Sequence, residues 1–423
     1  MEIFKWAKRQ SNRPADAADF DASANGVEPV AIPKRSLPRF NTTGSDLGIS
    51  DAELPRMRIR IRDAFSPSQP IQDPRMFAGR EEILKTLIRA IEDMRLHVVV
   101  YGDRGIGKTS LLHLLTRLAT DAHYHVAYHS CGERDSFSEV FRAIAEQIPL
   151  LYDSRYDPTA DETASGASLA LMLPQGEYNV SQLSQAFSHL SNTRLIIVLD
   201  EFDRSPGGDF RRMVAEFIKN VSDRSLRVRL VIGGVGTSLS ELVEHIPSIR
   251  RNILGLEVPA MTPDEVKEVI SIGERVSGLS YAPQSVDDII HLSRGSPYMA
   301  SMLAQYSGFR AIDDDLDTVS PWHVVEAARQ VALELRGRLS ERAVTTVAAA
   351  LAAGMQTVLM DCAKSAMGSS ARLVPSHVNP EQLADLSERY PALFEPVPGD
   401  PKGSYRFTEE GLPVFLWIWL STH

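Results

Sequence analysis

The chain has 423 residues, with 55 acidic against 45 basic side chains and a formal charge of −10, too long for one ordinary core and too acidic to coat nucleic acid or anionic membrane. Its two cysteines, Cys131 and Cys362, are too few for a disulfide framework or a zinc site and suit a reducing cytosol. The apolar run Leu412–Leu420 falls far short of a bilayer span and Met1–Trp6 lacks the apolar core of a signal peptide, so a cytoplasmic chain with no membrane partner is expected.

Residues 1–65 are rich in Ala, Asp, Ser, Asn and Pro and read as a flexible arm. Inside it, Phe4–Arg9 has the pattern of one amphipathic turn. Met57–Arg62 alternates apolar with basic, the pattern of an edge strand or of a solvated basic stripe. Residues 66–258 then alternate between two periodicities. Helical spacing runs through Ile83, Leu84, Leu87, Ile88 and Ile91, and again near 137–147, 180–190 and 210–221. Continuous apolar runs at 97–101, 125–129, 195–199 and 229–233 read as buried strands. This combination predicts an α/β unit, a parallel sheet covered by helices on both faces. Residues 150–180 have few apolar anchors and read as a surface insertion.

After Pro259 no further strand of that kind is read. Thr262-Pro263-Asp264-Glu265 is a capping box with proline at the first helical position, and helices are expected near 263–275, 284–293, 297–306 and 321–335. Residues 259–335 are therefore read as a helical lid. Residues 336–423 open with the alanine-rich helix Ser340–Ala352. They close on two short strands, Leu393–Pro396 and Ser404–Phe407, which suggests a winged-helix-like unit.

The most informative segment is Gly102-Asp103-Arg104-Gly105-Ile106-Gly107-Lys108-Thr109, which fits G-x-x-x-x-G-K-[ST] between a predicted strand and a helix opening at Ser110. Such a turn points backbone N–H groups at phosphate oxygens, and the helix N-terminus adds its positive dipole end. Residues Gly102 to Ser110 are the expected nucleotide contacts. Lys108 would reach the β- and γ-phosphates, and Thr109 would hold Mg²⁺. Arg104 is expected at the solvent-facing side of that turn. The strand Leu195–Leu199 ends in Asp200-Glu201, which supplies a second carboxylate for the metal and a base to polarise water. Past the fourth strand, Gly233-Gly234-Val235-Gly236-Thr237-Ser238 admits two readings, hydroxyls near the γ-phosphate or a glycine turn with a helix cap. Arg250-Arg251 lies at the rim, either as an ordinary surface pair or as a cation reaching a neighbouring subunit's nucleotide. With no Asn/Thr-Lys-x-Asp guanine reader in the chain, ATP is the expected nucleotide.

Taken in order, Phe77-Ala78-Gly79-Arg80-Glu81-Glu82, the phosphate loop, Leu199-Asp200-Glu201 and the 233–238 turn resemble AAA+ ATPases. The similarity spans about residues 66–310 and lies nearest to their origin-recognition-like and signal-transducing (STAND) branch. The resemblance implies Phe77 near the adenine and a γ-phosphate sensor at Thr237 or Ser238. It also implies an arginine finger at Arg251, in preference to Arg250. Arg294-Gly295-Ser296-Pro297-Tyr298 resembles the Gly-x-Pro signature of the signalling branch, which implies that Pro297 touches the nucleotide. Tyr298 stands where ordinary lids carry an arginine, which implies a slow switch rather than a fast motor.

Two functions follow from that resemblance. One is an ATP-driven conformational switch acting on an unidentified protein partner, with a nucleotide-dependent homo-oligomer. The other is a DNA-associated ATPase, a loader or a replication or transposition regulator that holds duplex through the winged helix. The helix expected near 380–389 carries Glu381, Asp385 and Glu388 against Arg389 alone, and phosphates would repel it. Charge therefore favours the first.

Overall fold

The buried strands read from the sequence assemble into one sheet, and its two faces explain most of the first half of the molecule. The computed structural model describes residues 53–67, 69–71, 73–155, 166–191, 193–205, 207–234, 247–367, 373, 378–397 and 404–422. Phe4–Arg9, Thr237 and Ser238 lie outside the described residues.

Strands β1 (His97–Tyr101), β2 (His125–Ser130), β3 (Leu195–Asp200), β4 (Val228–Gly234) and β5 (Ile253–Glu257) form a sheet of order β2-β3-β4-β1-β5. Every pairing is parallel, and all six residues of β3 are buried. Alternation along the strands separates two apolar layers. Val98, Val100, Ile196, Val198 and Val231 face helices α2 (Glu81–Glu92) and α3 (Lys108–Asp121). Val99, Ala127, Ile197, Leu199, Leu230 and Ile232 face α4 (Phe137–Glu146), α5 (Val180–Ser188) and α6 (Gly208–Asp223). Consecutive side chains point to opposite faces, so a sheet covered on both sides needs apolar residues at every strand position. Four of these strands are read from the sequence, although His97 in β1, Arg229 in β4 and the histidines of β2 interrupt the pattern. The fifth, β5, was not expected.

The stretch read as a surface insertion is better anchored than its composition suggests. Leu150, Leu169, Leu173 and Tyr178 are all buried against the sheet layer of α4 to α6, while residues 156–165 lie outside the described part.

Beyond β5 the chain turns helical. Helices α7 (Pro263–Ser277), α8 (Pro283–Ser293), α9 (Pro297–Asp313) and α10 (Pro321–Arg336) each carry proline at their start. The capping box at Thr262 is formed as expected, with its hydroxyl accepting from Glu265 N–H. Two residue pairs, Ser280–Tyr281 (β6) and Thr318–Val319 (β7), make a short parallel bridge among the helices, a strand pairing the sequence did not announce.

Among the described residues three helices follow, α11 (Glu341–Ala352), α12 (Gln356–Ala366) and α13 (Pro380–Arg389). The expected hairpin of β8 (Phe394–Pro396) and β9 (Tyr405–Phe407) comes next, and α14 (Leu412–Thr422) closes the chain. The apolar run Leu412–Leu420 is thus a core helix. Phe415, Leu416, Trp417 and Ile418 join one cluster with Ile289 and Leu292 of α8 and Val331 of α10. Among the described residues no helix is long and apolar enough to cross a membrane.

The N-terminal expectation needs correction. Residues read as the end of a flexible arm, with 57–62 as an edge strand or solvated stripe, form helix α1 (Glu53–Ala64). Ile61 and the following Phe65 are 0% and 1% exposed in the α7–α9 core. Arg58 pairs with Asp313, and Gln305 donates its side-chain amide to the Phe65 carbonyl. The alternation is genuine, but Met57, Ile61 and Phe65 also recur every four residues, and burial selected that stripe.

Candidate active site

Strand β1 delivers the chain to Gly102, and the turn ends where α3 begins at Lys108. Gly107 caps that helix at φ 89°, a left-handed conformation disfavoured for other residues. A side chain there would also meet the Arg80 guanidinium at 3.0 Å and Pro297 Cγ at 3.6 Å. The loop is therefore glycine for two reasons, backbone shape and close neighbours.

Lys108 is only 8% exposed. Its Nζ donates to the carbonyls of Gly102 at 2.9 Å and Asp103 at 2.7 Å, so the ammonium sits folded over the loop. Burial lowers its pKa, while the carboxylates of Asp203, Asp200 and Asp103 oppose that shift. Burial raises the Asp103 pKa, and Lys108 resists it. Thr109 is half-buried at the start of α3. The neighbouring Ser110 hydroxyl accepts the Ile71 N–H at 3.1 Å, which fastens the incoming linker across the helix. Ile106 is buried, and Arg104 is exposed as expected. Arg104 nonetheless forms an ion pair of 2.6 Å with Glu410, near the start of α14, and lies 3.9 Å from Asp203.

Two strands away, Asp200 ends β3 at 3% exposure. Its Oδ2 accepts the Tyr128 hydroxyl at 2.7 Å, and its Oδ1 accepts the Glu201 N–H at 2.8 Å. Burial, then the hydrogen bond to Asp200, pushes the Tyr128 phenol pKa up, so the phenol stays a donor. Gly233 on β4 leaves the room this carboxylate needs, because a Cβ there would lie 2.8 Å from Asp200 Oδ1 and 2.6 Å from Leu112 Cδ1. Glu201 adopts φ 50°, which turns the chain out of the strand and sends the two consecutive carboxylates apart. Its Oε2 accepts from Ser130 Oγ at 3.2 Å and from Arg204 at 2.9 Å, with the side chain 45% exposed.

The helical segment closes over the loop from the other side. Tyr298 N–H and Ser296 Oγ both donate to the Gly105 carbonyl, at 3.4 and 3.3 Å, which sets Pro297 against the phosphate loop. Arg80 is the hub beneath. It is 6% exposed, donates to the carbonyls of Ile106 and Pro259, and takes the Glu265 carboxylate on its own N–H at 2.9 Å. Burial brings its guanidinium pKa down to about 10 even with Glu265 beside it. Gly79 N–H is held by Glu268 at 3.0 Å, a second tie to α7. Phe77 packs, half-buried, on the apolar cluster that contains Ile106 and Val258.

The structure thus brings Lys108, Thr109, Asp200, Glu201 and Pro297 to one edge of the sheet. Arg250 and Arg251 are not among them. They are exposed and precede Ile253, which pairs with His97 at the opposite end of β1 from Gly102. The five-residue strand spans about 17 Å at the usual rise, so neither arginine serves this chain's own loop. Sequence reasoning missed Tyr128, Ser130, Asp203 and Glu410, while Arg80 lies in the Phe77–Glu82 segment that carried the resemblance. Asp203 alone left a local signal, as a further acid three residues past Asp200. The others meet the site only through long-range contacts.

A family model described as an AAA ATPase domain matches residues 76–232. No curated protein matches the chain. Among solved structures, a Walker-type ATPase of Pyrococcus abyssi is similar at TM-score 0.50 and 14% identity, covering 84% of this chain and 99% of that one. The Aeropyrum pernix ORC1 protein, solved in complex with DNA, gives TM-score 0.48 at 17% identity, with coverage of 84% and 95%. Cdc6p from Pyrobaculum aerophilum gives 0.46 at 16%, with 86% and 99%. At such identities the likeness is one of fold.

Proposed function

We propose that this AAA+ P-loop ATPase is a slow ATP-driven switch that regulates a protein partner through movement of its helical lid and C-terminal unit. One observation carries the reading: among the described residues, the phosphate loop is gripped by groups from the segment before β1, from the helical lid and from the C-terminal unit. Arg80 holds the Ile106 carbonyl, Ser296 and Tyr298 hold that of Gly105, and Glu410 holds Arg104. A triphosphate entering this loop changes the partners of all three, and a nucleotide that binds two arrangements unequally shifts their populations.

In that reading, residues Gly102 to Ser110 cradle the phosphates with backbone N–H groups, and Lys108 exchanges its loop carbonyls for phosphate oxygens. The donor set fits Mg²⁺, a hard cation that takes oxygen ligands: a hydroxyl at Thr109 and a buried Asp200 carboxylate whose hydrogen bonds come from neutral donors. When bound there, Mg²⁺ offsets phosphate charge. Glu201 orients and deprotonates the attacking water, for which it must release Ser130 and Arg204. That restraint, with Tyr298 in the place of a lid arginine, supports slow turnover. Phe77 and Pro297 flank the nucleotide. Arg251, exposed at the far end of the sheet, acts on a neighbouring copy's nucleotide in a homo-oligomer.

A protein partner is favoured over duplex DNA because the one cation of helix α13, Arg389, is paired with Asp385 at 3.3 Å, leaving Glu381 and Glu388 to face outward. The test is hydrogen exchange on Glu201→Gln, with ADP and with ATP. We expect ATP to stay bound without turnover and exchange in 404–416 and 295–300 to differ between the two nucleotides. Identical exchange rules out the switch. Duplex binding that weakens steeply with salt would reinstate the DNA-associated alternative.

A further inference from the structure

One side chain joins the third strand's carboxylate to the phosphate-loop helix. Tyr128 lies on β2 in register with Val198, two residues before the Ser130–Asp200 pair. Its side chain therefore reaches forward along the strand to place its hydroxyl 2.7 Å from Asp200 Oδ2. Its ring stacks on His113 with centroids 4.8 Å apart and planes 16° from parallel. His113 stands on α3, one turn beyond Thr109 and on the same helix face. Ring stacking fixes the phenol in two dimensions, and the hydrogen bond fixes the carboxylate it points at.

We infer that Tyr128 is a positioning residue for the metal: with its ring braced on the phosphate-loop helix by His113, its hydroxyl holds Asp200 in the rotamer that meets Mg²⁺ beside Thr109. This rests on the assignment of Asp200 and Thr109 as metal ligands. A carboxylate buried to 3% exposure needs hydrogen-bond donors, and a neutral O–H supplies one without forming an ion pair. A lysine or arginine in the same place would compete with the metal for the carboxylate. The phenol leaves the second lone pair of Oδ2 and its negative charge to the cation. Groups that orient a metal ligand in this way are commonly worth 10- to 100-fold in metal affinity.

The experiment uses the full-length chain and measures ATP affinity by calorimetry, first in EDTA and then across a Mg²⁺ titration, for the parent, Tyr128→Phe, His113→Ala and Asp200→Asn. Tyr128→Phe keeps the stacked ring and removes only the hydroxyl. Its metal-free ATP affinity is expected to match the parent, and the Mg²⁺ concentration for half-maximal enhancement to rise about tenfold. A packing role alone would not move that second quantity. His113→Ala loosens the brace while keeping the hydroxyl and is expected to raise it about threefold. Parental Mg²⁺ dependence in Tyr128→Phe overturns the inference when Asp200→Asn still shifts the titration. Parental dependence in Asp200→Asn as well overturns the metal assignment itself. If Tyr128→Phe loses metal-free binding through misfolding, His113→Ala decides alone, and a parental titration there overturns the inference.

Discussion

The two ends of the central sheet bury ionisable groups in opposite ways. At the carboxyl end, Lys108 at 8% exposure and Asp200 at 3% lie among further charges, Asp103 and Asp203, and Lys108 donates to loop carbonyls that a ligand could replace. At the amino end His97 is 2% exposed, and the fold uses both of its ring nitrogens. Nδ1 accepts the Leu230 N–H at 3.0 Å, and Nε2 meets Ser222 Oγ at 3.2 Å. Burial, aided by Arg229, holds the His97 pKa down to about 3, so the ring stays neutral. Around Lys108 three carboxylates oppose the effect of burial and its hydrogen-bond partners can be exchanged, whereas at His97 burial and Arg229 act together and the partners are permanent. That contrast separates a site from a structural polar contact, although both are deeply buried.

The sharpest way to break the contrast is at Lys108. Lys108→Ala removes the cation among three carboxylates, and ATP affinity is expected to fall by at least a hundredfold, since charged hydrogen bonds contribute about 1.5–3 kcal/mol each and phosphate offers more than one. Calorimetry with Mg·ATP checks this, and near-parental affinity would remove the phosphate role of the loop. Gly233→Ala comes next. The added methyl would sit 2.8 Å from Asp200 Oδ1, so the carboxylate must move. Turnover should drop about 10- to 100-fold while metal-free nucleotide binding stays close to the parent's. Equal loss of both would show that Gly233 serves the fold rather than the carboxylate.

At the other end of the sheet the expected effect is on stability alone, and it depends on pH. The folded pKa of His97, about 3, lies below the ordinary 6.5, so its neutral form is the one the fold retains. Its contribution is complete above pH 6.5 and is lost as pH falls from 6.5 toward 3. Compared with His97→Gln, the parent should keep a constant stability advantage above pH 6.5. That advantage should shrink by about 1.4 kcal/mol per pH unit below it. Denaturant midpoints at pH 8, 6 and 5 measure the gap, and a gap that ignores pH would mean that His97 is not held neutral.

What the sequence disclosed follows the same division. Lys108, Thr109, Asp200 and Glu201 belong to local motifs next to strands with long apolar runs, Val98–Val100 and Leu195–Leu199, so a linear scan finds them. Tyr128 acts on Asp200, 72 residues along the chain, and no local pattern marks such a pair. Strand β5 escaped because Ile253-Leu254-Gly255-Leu256-Glu257 is short, broken by a glycine and only partly buried at the sheet edge. Helix α1 was misread because a basic residue at every second position mimics strand alternation. The stripe that decides its structure, through Ile61 and Phe65, has meaning only once the α7–α9 core exists to receive it.

The smallest effect tests how far the carboxyl end extends. Arg104 and Glu410 are 59% and 71% exposed, so solvent screens their 2.6 Å pair and their coupling should be within about 1 kcal/mol. Even so, Glu410 occupies an arginine at the rim of the loop that phosphate would attract. Glu410→Gln should therefore tighten ATP binding by about two- to fivefold at low salt, with the gain fading as ionic strength rises. In the Arg104→Ala background the same substitution should change little, because the charge it relieves acts through that arginine. A gain that survives both high salt and Arg104→Ala would locate the effect elsewhere on the C-terminal unit. It would also leave the phosphate loop without its link to α14, and the contrast between exchangeable and permanent contacts would then stop at the lid.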